Sequence, residues 1–331
     1  ALCDFATMWR RRFELPIVAV TGSNGKTTVK EMVGTILRRH FAGPGEDAGV
    51  LVTWGNLNNH IGVPITLLWM RDSHRAAVIE MGASARREIA RLAAIAAPGI
   101  AIITNAGPAH LGGFGGTLRD VAEAKGELFA GLPAGSVAVI NRDDPFYGYW
   151  RGLRDDITYR SFGLSAEADY RAVDVQALGV QGLRFRMLTP SGEIPVNLPM
   201  AGGHNVRNAL AAAAASLAAG ASLEAVRDAL GQMLNVAGRL RAEPGPDGST
   251  IFDDSYNANP GSVAAAIHFL AGLGGQRWLV LGGMAELGPD QAALHREIGV
   301  LAAKSGIDRF YCVGELTRPA AEGFGAAAHW Y

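Results

Sequence analysis

Short apolar runs alternate with stretches of helical periodicity along the first half of the chain. The runs are residues 15–20 (LPIVAV), 76–81 (AAVIEM), 100–104 (IAIIT) and 136–141 (SVAVIN). Their length and their polar or glycine-bearing borders predict buried strands. After the first run, Val29, Met32, Val33, Ile36 and Leu37 recur at i, i+3, i+4, i+7 and i+8, which puts them on one face of a helix. Strand and helix in turn predict an α/β fold, with a central, mostly parallel sheet flanked by helices.

The pattern changes at residues 157–199. There ITYRSFG, LRFRML and IPVNLP, separated by glycine-bearing turns, predict antiparallel strands appended to the main sheet. Residues 202–220 (GGHNVRNALAAAAASLAAG) predict an alanine-rich helix stopped at Gly220, and a second helix follows over 222–234. Glycine and proline then gather in residues 235–249, and beyond them the alternation resumes: strands at TIFDDS, RWLVLG and RFYCVG, helices after Pro260 and over 290–305. A boundary is expected near Gly238, dividing residues 15–237 from a smaller α/β domain of residues 238–331. The last stretch, TRPAAEGFGAAAHWY, breaks off within the alternation with no closing strand expected.

Composition narrows the function. The chain has 331 residues, 49% of them hydrophobic, enough for two domains with separate cores. A formal charge of -1 gives no general attraction to nucleic acid or to a membrane surface, so any anion must be held locally. That points to a small charged ligand. The two cysteines, Cys3 and Cys312, form no metal-spaced cluster and fit a reducing, cytoplasmic compartment. No apolar stretch has the length of a membrane span, and the N-terminus lacks a signal peptide's apolar segment. The chain starts without Met, as a fragment would.

The candidate chemistry begins at residues 20–28, VTGSNGKTT, between the first strand and its helix. Gly22 and Gly25 permit unusual backbone angles, and the amides of Ser23, Asn24 and their neighbours lie at a helix N-terminus, where phosphate oxygens bind. Lys26 suits the β and γ groups of a triphosphate, and the Thr27 hydroxyl suits its magnesium ion. Val20 stands where the full GxxxxGK[ST] pattern has its first glycine, so the match to that pattern fails by one residue. The alternative is a plain glycine turn with an exposed lysine.

Other polar residues gather at the carboxyl ends of the predicted strands, where open parallel sheets bind ligands. Glu80 ends the second; Asn105 and His110 follow the third; Asn141, Asp143 and Asp144 follow the fourth. An unpaired carboxylate is costly to bury, so Glu80 reads either as a magnesium ligand or as a surface residue one step past its strand. A lone histidine is ordinarily a surface or capping residue and a lone lysine is ordinarily solvated. Residue chemistry alone therefore leaves His110, and Lys125 in the helix that follows it, open.

Taken in order, TGSNGKTT, GNLNNHIGVPITLL (55–68), IEMGAS (79–84), NAGPAHLGGFG, AKGE, GGHNVRNALAAAA, AGRL and DDSYNANPGS (253–262) resemble the Mur ligase family. TGSNGKTT is similar to that family's shortened phosphate loop, and NLNN and DDSYNANP resemble the branch that adds D-alanyl-D-alanine. The resemblance implies ATP and Mg2+, an acyl-phosphate intermediate, and amide-bond formation between a UDP-muramoyl tripeptide and D-alanyl-D-alanine in peptidoglycan synthesis. Another amino-acid ligase of the family, a folylpolyglutamate synthase, or a phosphate-loop switch ATPase that makes no amide bond are the competing readings.

The resemblance also assigns roles. The loop residues Gly22, Ser23, Asn24, Gly25, Lys26, Thr27 and Thr28 would bind ATP, with Asn208 against adenine. Arg239, Asp253 and Asp254 would close on the nucleotide. Thr27 and Glu80 would hold one magnesium ion; His110 would hold a second, with Lys125 in the place of the family's carbamylated lysine. Asn56, Asn58 and Asn59 would meet the peptide or sugar, and Tyr256, Asn257 and Asn259 the incoming dipeptide; against this, asparagines are common in turns. The implied architecture is a linker (1–14) from an N-terminal domain, an ATP-binding central domain and a shortened Rossmann-like C-terminal ligase domain, in a monomer. Two positions depart from the resemblance: Gly283, where aspartate is usual, and Arg87, where glycine is frequent.

Overall fold

Residues 1–41, 49–108, 111–233 and 236–331 are described by a computed structural model. Leu2–Arg10 forms helix α1, where the sequence suggested only a linker. Ile17–Thr21 forms β1, buried along its whole length, as a central parallel strand requires of an unbroken apolar run. Then come α2 (Lys26–Phe41), β2 (Val50–Val52), α3 (Gly62–Leu68), β3 (Ala76–Glu80), α4 (Glu88–Ala96), β4 (Ile100–Ile103) and α5 (Leu111–Phe114). The sheet continues through α6 (Leu118–Ala130), β5 (Val137–Asn141), α7 (Tyr147–Arg151), β6 (Thr158–Gly163), β7 (Tyr170–Ala177), β8 (Leu183–Thr189) and β9 (Gly192–Leu198).

These nine strands form one sheet in the order β2-β3-β1-β4-β5-β6-β7-β8-β9. Pairing is parallel from β2 to β7 and antiparallel for β7–β8 and β8–β9. The expectation of antiparallel strands over 157–199 thus holds for LRFRML and IPVNLP, in β8 and β9; β7 is a strand it did not include. It fails for β6, which adds to β5 in parallel after the short helix α7. Alternation along β1 builds two cores: Val18 and Val20 face one, Ile17 and Ala19 the other. The first is covered by α2, α8 (His204–Ala218) and α9 (Leu223–Gly231). In α8, Ala209 and Ala211–215 are fully buried; residues this small let a helix lie close to both the sheet and α2. Leu234, the expected end of the next helix, lies outside the described residues, and α9 stops at Gly231.

The rest of the chain holds two smaller sheets. β10 (Arg241–Pro244) and β11 (Thr250–Asp253) form an antiparallel pair. After α10 (Pro260–Ala271), β12 (Trp278–Leu281), α11 (Gln291–Lys304), β13 (Arg309–Cys312), α12 (Arg318–Phe324) and β14 (Ala328–Trp330), the order is β12-β13-β14, all parallel. β14 is a closing strand that the reading of the final residues did not foresee. A separate core containing Val263, Ile267, Leu281, Ile298 and Phe310 lies beneath these strands.

Candidate active site

Strand order reverses around β1: β3 lies on one side and β4 on the other. Beyond the carboxyl end of such a strand an open sheet leaves a crevice, and residues 22–25 occupy it. Gly22 and Gly25 adopt φ values of 146° and 81°. Each is also a close approach: a Cβ on Gly22 would run into Thr104 Oγ1, and one on Gly25 would come within 2.5 Å of Asn208 Oδ1. Asn208 therefore sits behind the loop, donating to Asn205 Oδ1 at 2.9 Å, while Asn205 donates to the Ala201 carbonyl at 2.6 Å.

The loop is fastened to the segment after β4. Ser23 N donates to the Asn105 carbonyl (3.0 Å), Asn24 N to Asn105 Oδ1 (3.0 Å), and Ser23 Oγ donates to the Gly107 carbonyl (3.0 Å). Asp144, just past β5, in turn accepts from Ala106 N at 2.9 Å. Lys26 folds back to donate to the Gly22 and Ser23 carbonyls, at 2.8 and 3.1 Å. Burial lowers its ammonium pKa below the ordinary value, with the Glu80 charge acting in the opposite sense. Thr28, one turn into α2, is buried behind the loop.

Thr27 Oγ1 donates to Glu80 Oε1 at 3.3 Å, and Asn58 Nδ2 donates to the same oxygen at 2.8 Å. Glu80 is 1% exposed, and its second oxygen, Oε2, is buried without a hydrogen-bond partner. Lys30 Nζ lies 4.0 Å from that oxygen. Lys30, fully buried, also donates to the Thr53 and Gly55 carbonyls (2.8 and 3.4 Å) and pairs with Glu31 at 2.8 Å. A hydroxyl and an underused carboxylate oxygen beside a phosphate loop fit a magnesium ion that takes its other ligands from phosphate and water. Among the described residues, no three His, Cys, Asp or Glu side chains gather as a metal cage would require. His110 lies outside the described residues.

Lys125 projects from α6, is 3% exposed, and has its Nζ 5.0 Å from the centre of the Phe114 ring. Burial, and then the charge of Lys26, bring its pKa down to about 7. From the segment that leads into β10, Arg239 donates to Thr27 Oγ1 at 3.4 Å and lies 4.2 Å over the ring of Tyr256. Asp254 accepts from Leu240 N at 3.2 Å, and burial raises its carboxyl to about 6. Asp253 accepts from the main chain and hydroxyl of Ser255.

Together these elements enclose a cleft of about 610 Å³. Gly22–Thr27, Asn58, Asn59, Glu80, Lys125, Arg239, Tyr256, Asn257 and Asn259 line it. Asn56, Asp253 and Asp254 do not; Asn56 is exposed on the turn that leads to Asn58. Asn59 spends its side-chain oxygen on the amides of Ile61 and Gly62 at the start of α3. Sequence reading missed Lys30, and it missed Ser84 and Arg91, which also line the cleft. Only their positions, Ser84 at the end of IEMGAS and Arg91 within α4, could have flagged the last two. Arg87 takes a left-handed φ of 67°, a conformation that explains why glycine suits this position. At Gly283 a Cβ would press on the Leu316 side chain at 3.1 Å.

Loop amides, two cations, a hydroxyl and a carboxylate thus line one cleft together with the side chains of Asn58, Asn59 and Arg91. Comparison with known proteins gives the family. Residues 20–216 match the Mur ligase middle domain, and residues 238–329 the Mur ligase glutamate ligase domain. The UDP-N-acetylmuramoyl-tripeptide--D-alanyl-D-alanine ligase of Escherichia coli (strain K12) is 40% identical over 331 residues, all of this chain and 71% of that enzyme. A crystal structure of MurF from Acinetobacter baumannii superimposes with a TM-score of 0.93 at 36% identity, covering 99% of this chain and 70% of that one. The MurF ligase of Thermotoga maritima in complex with ADP gives 0.86 at 28% identity, covering 99% and 73%. The chain belongs to the Mur ligase family.

Proposed function

We propose that this chain is the catalytic part of an ATP-dependent ligase that joins D-alanyl-D-alanine to a UDP-N-acetylmuramoyl tripeptide. The observation that carries the reading is the Thr27–Glu80 pair beneath the phosphate loop, with Glu80 Oε2 left without a hydrogen-bond partner. In the reaction a terminal carboxylate oxygen of the tripeptide attacks the γ-phosphorus of ATP, the bond to the β-phosphate oxygen breaks, and ADP leaves. The amine of the dipeptide, having lost its proton, then adds to the acyl carbon. The tetrahedral intermediate collapses by expelling phosphate, and the amide remains.

Each residue has a physical task in that scheme. The amides of residues 22–27 and Lys26 hold the phosphates and offset the charge of the transferring group. Their geometry is set in advance by Thr104, Asn105 and Asp144. Thr27 and Glu80 would hold Mg2+, which, when bound, neutralises charge on the β and γ oxygens. Arg239 extends the positive lining from the second unit, and Asn208 backs the loop at the side assigned to adenine. Lys125, with a pKa of about 7, has a substantial neutral fraction under ordinary conditions. A neutral amine can add to CO2 and release a proton, and the resulting carbamate is an oxygen ligand where an ammonium would repel a metal. Asn58, Ser84 and Arg91 offer hydrogen bonds and a positive charge to the acceptor peptide.

On this reading residues 15–237 and 238–331 act as two units, and the reaction takes place where ATP and UDP-linked precursors coexist, in the cytoplasm. Among the described residues no helix is long and apolar enough to cross a membrane. The test is phosphate release from ATP and Mg2+, with and without the tripeptide and the dipeptide, alongside detection of the pentapeptide product. Release that needs both acceptors and is matched by product is the expected result. Steady hydrolysis indifferent to either acceptor would overturn the ligase reading in favour of a switch ATPase.

A further inference from the structure

Asn24 and Asn259 are 235 residues apart, and their side-chain amides face each other as a reciprocal pair. Asn259 Nδ2 donates to Asn24 Oδ1 at 2.6 Å, and Asn24 Nδ2 donates to Asn259 Oδ1 at 3.3 Å. Neither residue is free to drift. The Asn24 amide is held by Asn105 Oδ1, and its carbonyl accepts from Thr104 Oγ1 (2.6 Å) and Asn105 Nδ2 (3.1 Å). Asn259 is the N-cap of α10: its Oδ1 also accepts from Ser262 N at 3.0 Å, and the residue is 5% exposed. Gly261 passes close enough that a Cβ there would sit 3.4 Å from Asn24 Nδ2.

We infer that Asn24 and Asn259 are a positioning pair, a neutral clasp through which the phosphate loop seats the second unit over the cleft. The chemistry suits that task. An amide pair satisfies both partners without placing a net charge beside a polyphosphate. When the units part, both amides return to water, so the net gain from each bond is small and the contact is reversible. Because Thr104 and Asn105 grip the Asn24 main chain, any change in loop shape moves the amide that Asn259 must meet. Seating then delivers Asn257 and Tyr256, which flank the clasp in the cleft lining, to the loop. The side-chain groups of Asn259, expected from sequence to meet the incoming dipeptide, are committed to Asn24 and Ser262.

The kinetic part of the test rests on the ligase reading; the scattering part does not. Asn24→Ala removes the clasp from the loop side. Asn259→Ser removes it from the other side while keeping a good N-cap, so α10 stays capped. Two neutral hydrogen bonds correspond to a shift of about 10- to 30-fold in the closed-to-open ratio. Small-angle X-ray scattering with saturating ADP and Mg2+ is expected to show a larger radius of gyration in each variant. The double variant is expected to be no more open than either single one. kcat/KM for ligation is expected to fall about tenfold in all three, with the thermal midpoint of Asn259→Ser unchanged. Unchanged scattering in the single variants, or effects that add in the double one, would overturn the clasp. Phosphate release by the unaltered protein that ignores both acceptors would count against the ligase reading and leave the scattering result to judge the clasp.

Discussion

Lys30→Met tests how far the site's electrostatics hold the first unit together. The methionine fills nearly the same volume, so packing changes little and charge and hydrogen bonding change most. Lys30 is fully buried, faces Glu80 Oε2 at 4.0 Å, and donates to the Thr53 and Gly55 carbonyls. Removing Lys30 takes a charge from beside a buried carboxylate that then keeps only Thr27, Asn58 and the field of Lys26, and it leaves two carbonyls without their donor, a loss of about 3–5 kcal/mol. For a unit of this size, that corresponds to a fall in thermal midpoint on the order of 10 °C. The companion Lys30→Met/Glu80→Gln removes both charges of the pair and is expected to recover part of the loss, because the carboxylate that lost Lys30 is then neutral. Thermal and urea unfolding of Lys30→Met, Glu80→Gln, the double variant and the unaltered protein measure this directly. If Lys30→Met unfolds within about 1 kcal/mol of the parent, or if the double variant is worse than Lys30→Met by the full effect of Glu80→Gln, the assignment of the pair as coupled is wrong.

Lys125 links stability to pH. Its pKa is about 7 in the folded chain against an ordinary 10.5, so between those values the unfolded chain binds more protons and stability rises with pH. That contribution is fully present above the ordinary value and lost as pH falls through about 7. Urea unfolding at a series of pH values should show this slope in the parent and not in Lys125→Met; equal slopes would refute the buried lysine. Arg87→Gly should stabilise the protein by about 0.5–1 kcal/mol, because the left-handed conformation costs a non-glycine residue about 1–2 kcal/mol and glycine returns part of that as chain freedom. The bond from its amide to Glu127 Oε1 at 2.7 Å survives the change. A destabilisation above about 1 kcal/mol would mean that the guanidinium makes a contact worth more than the strain.

What could be read from the sequence divides by range. The phosphate loop was legible because its chemistry is local: two glycines, a lysine and a threonine within a few residues, between a strand and a helix whose periodicities are plain. β1, β3, β4 and β5 were legible because a strand buried on both faces needs an unbroken apolar run. The direction of β6 was not, because ITYRSFG has the same composition in either direction, and the connection through α7 decides it. Lys30 sits one residue from the apolar face of α2, and nothing within that helix says it will be buried. Its burial depends on the carbonyls of Thr53 and Gly55 arriving from the segment after β2 and on Glu80 from the end of β3. Asn259 shows the same limit more sharply. The pattern Asn-Pro-Gly-Ser announces a helix cap, which the structure has, and an asparagine near a nucleotide loop suggests a ligand contact. The partner that takes up its remaining amide, Asn24, is 235 residues away. The residues that sequence could place were those whose surroundings are written in their neighbours. Those it missed act through a partner supplied by another element, and there a lysine or an asparagine is defined by what the fold brings to it.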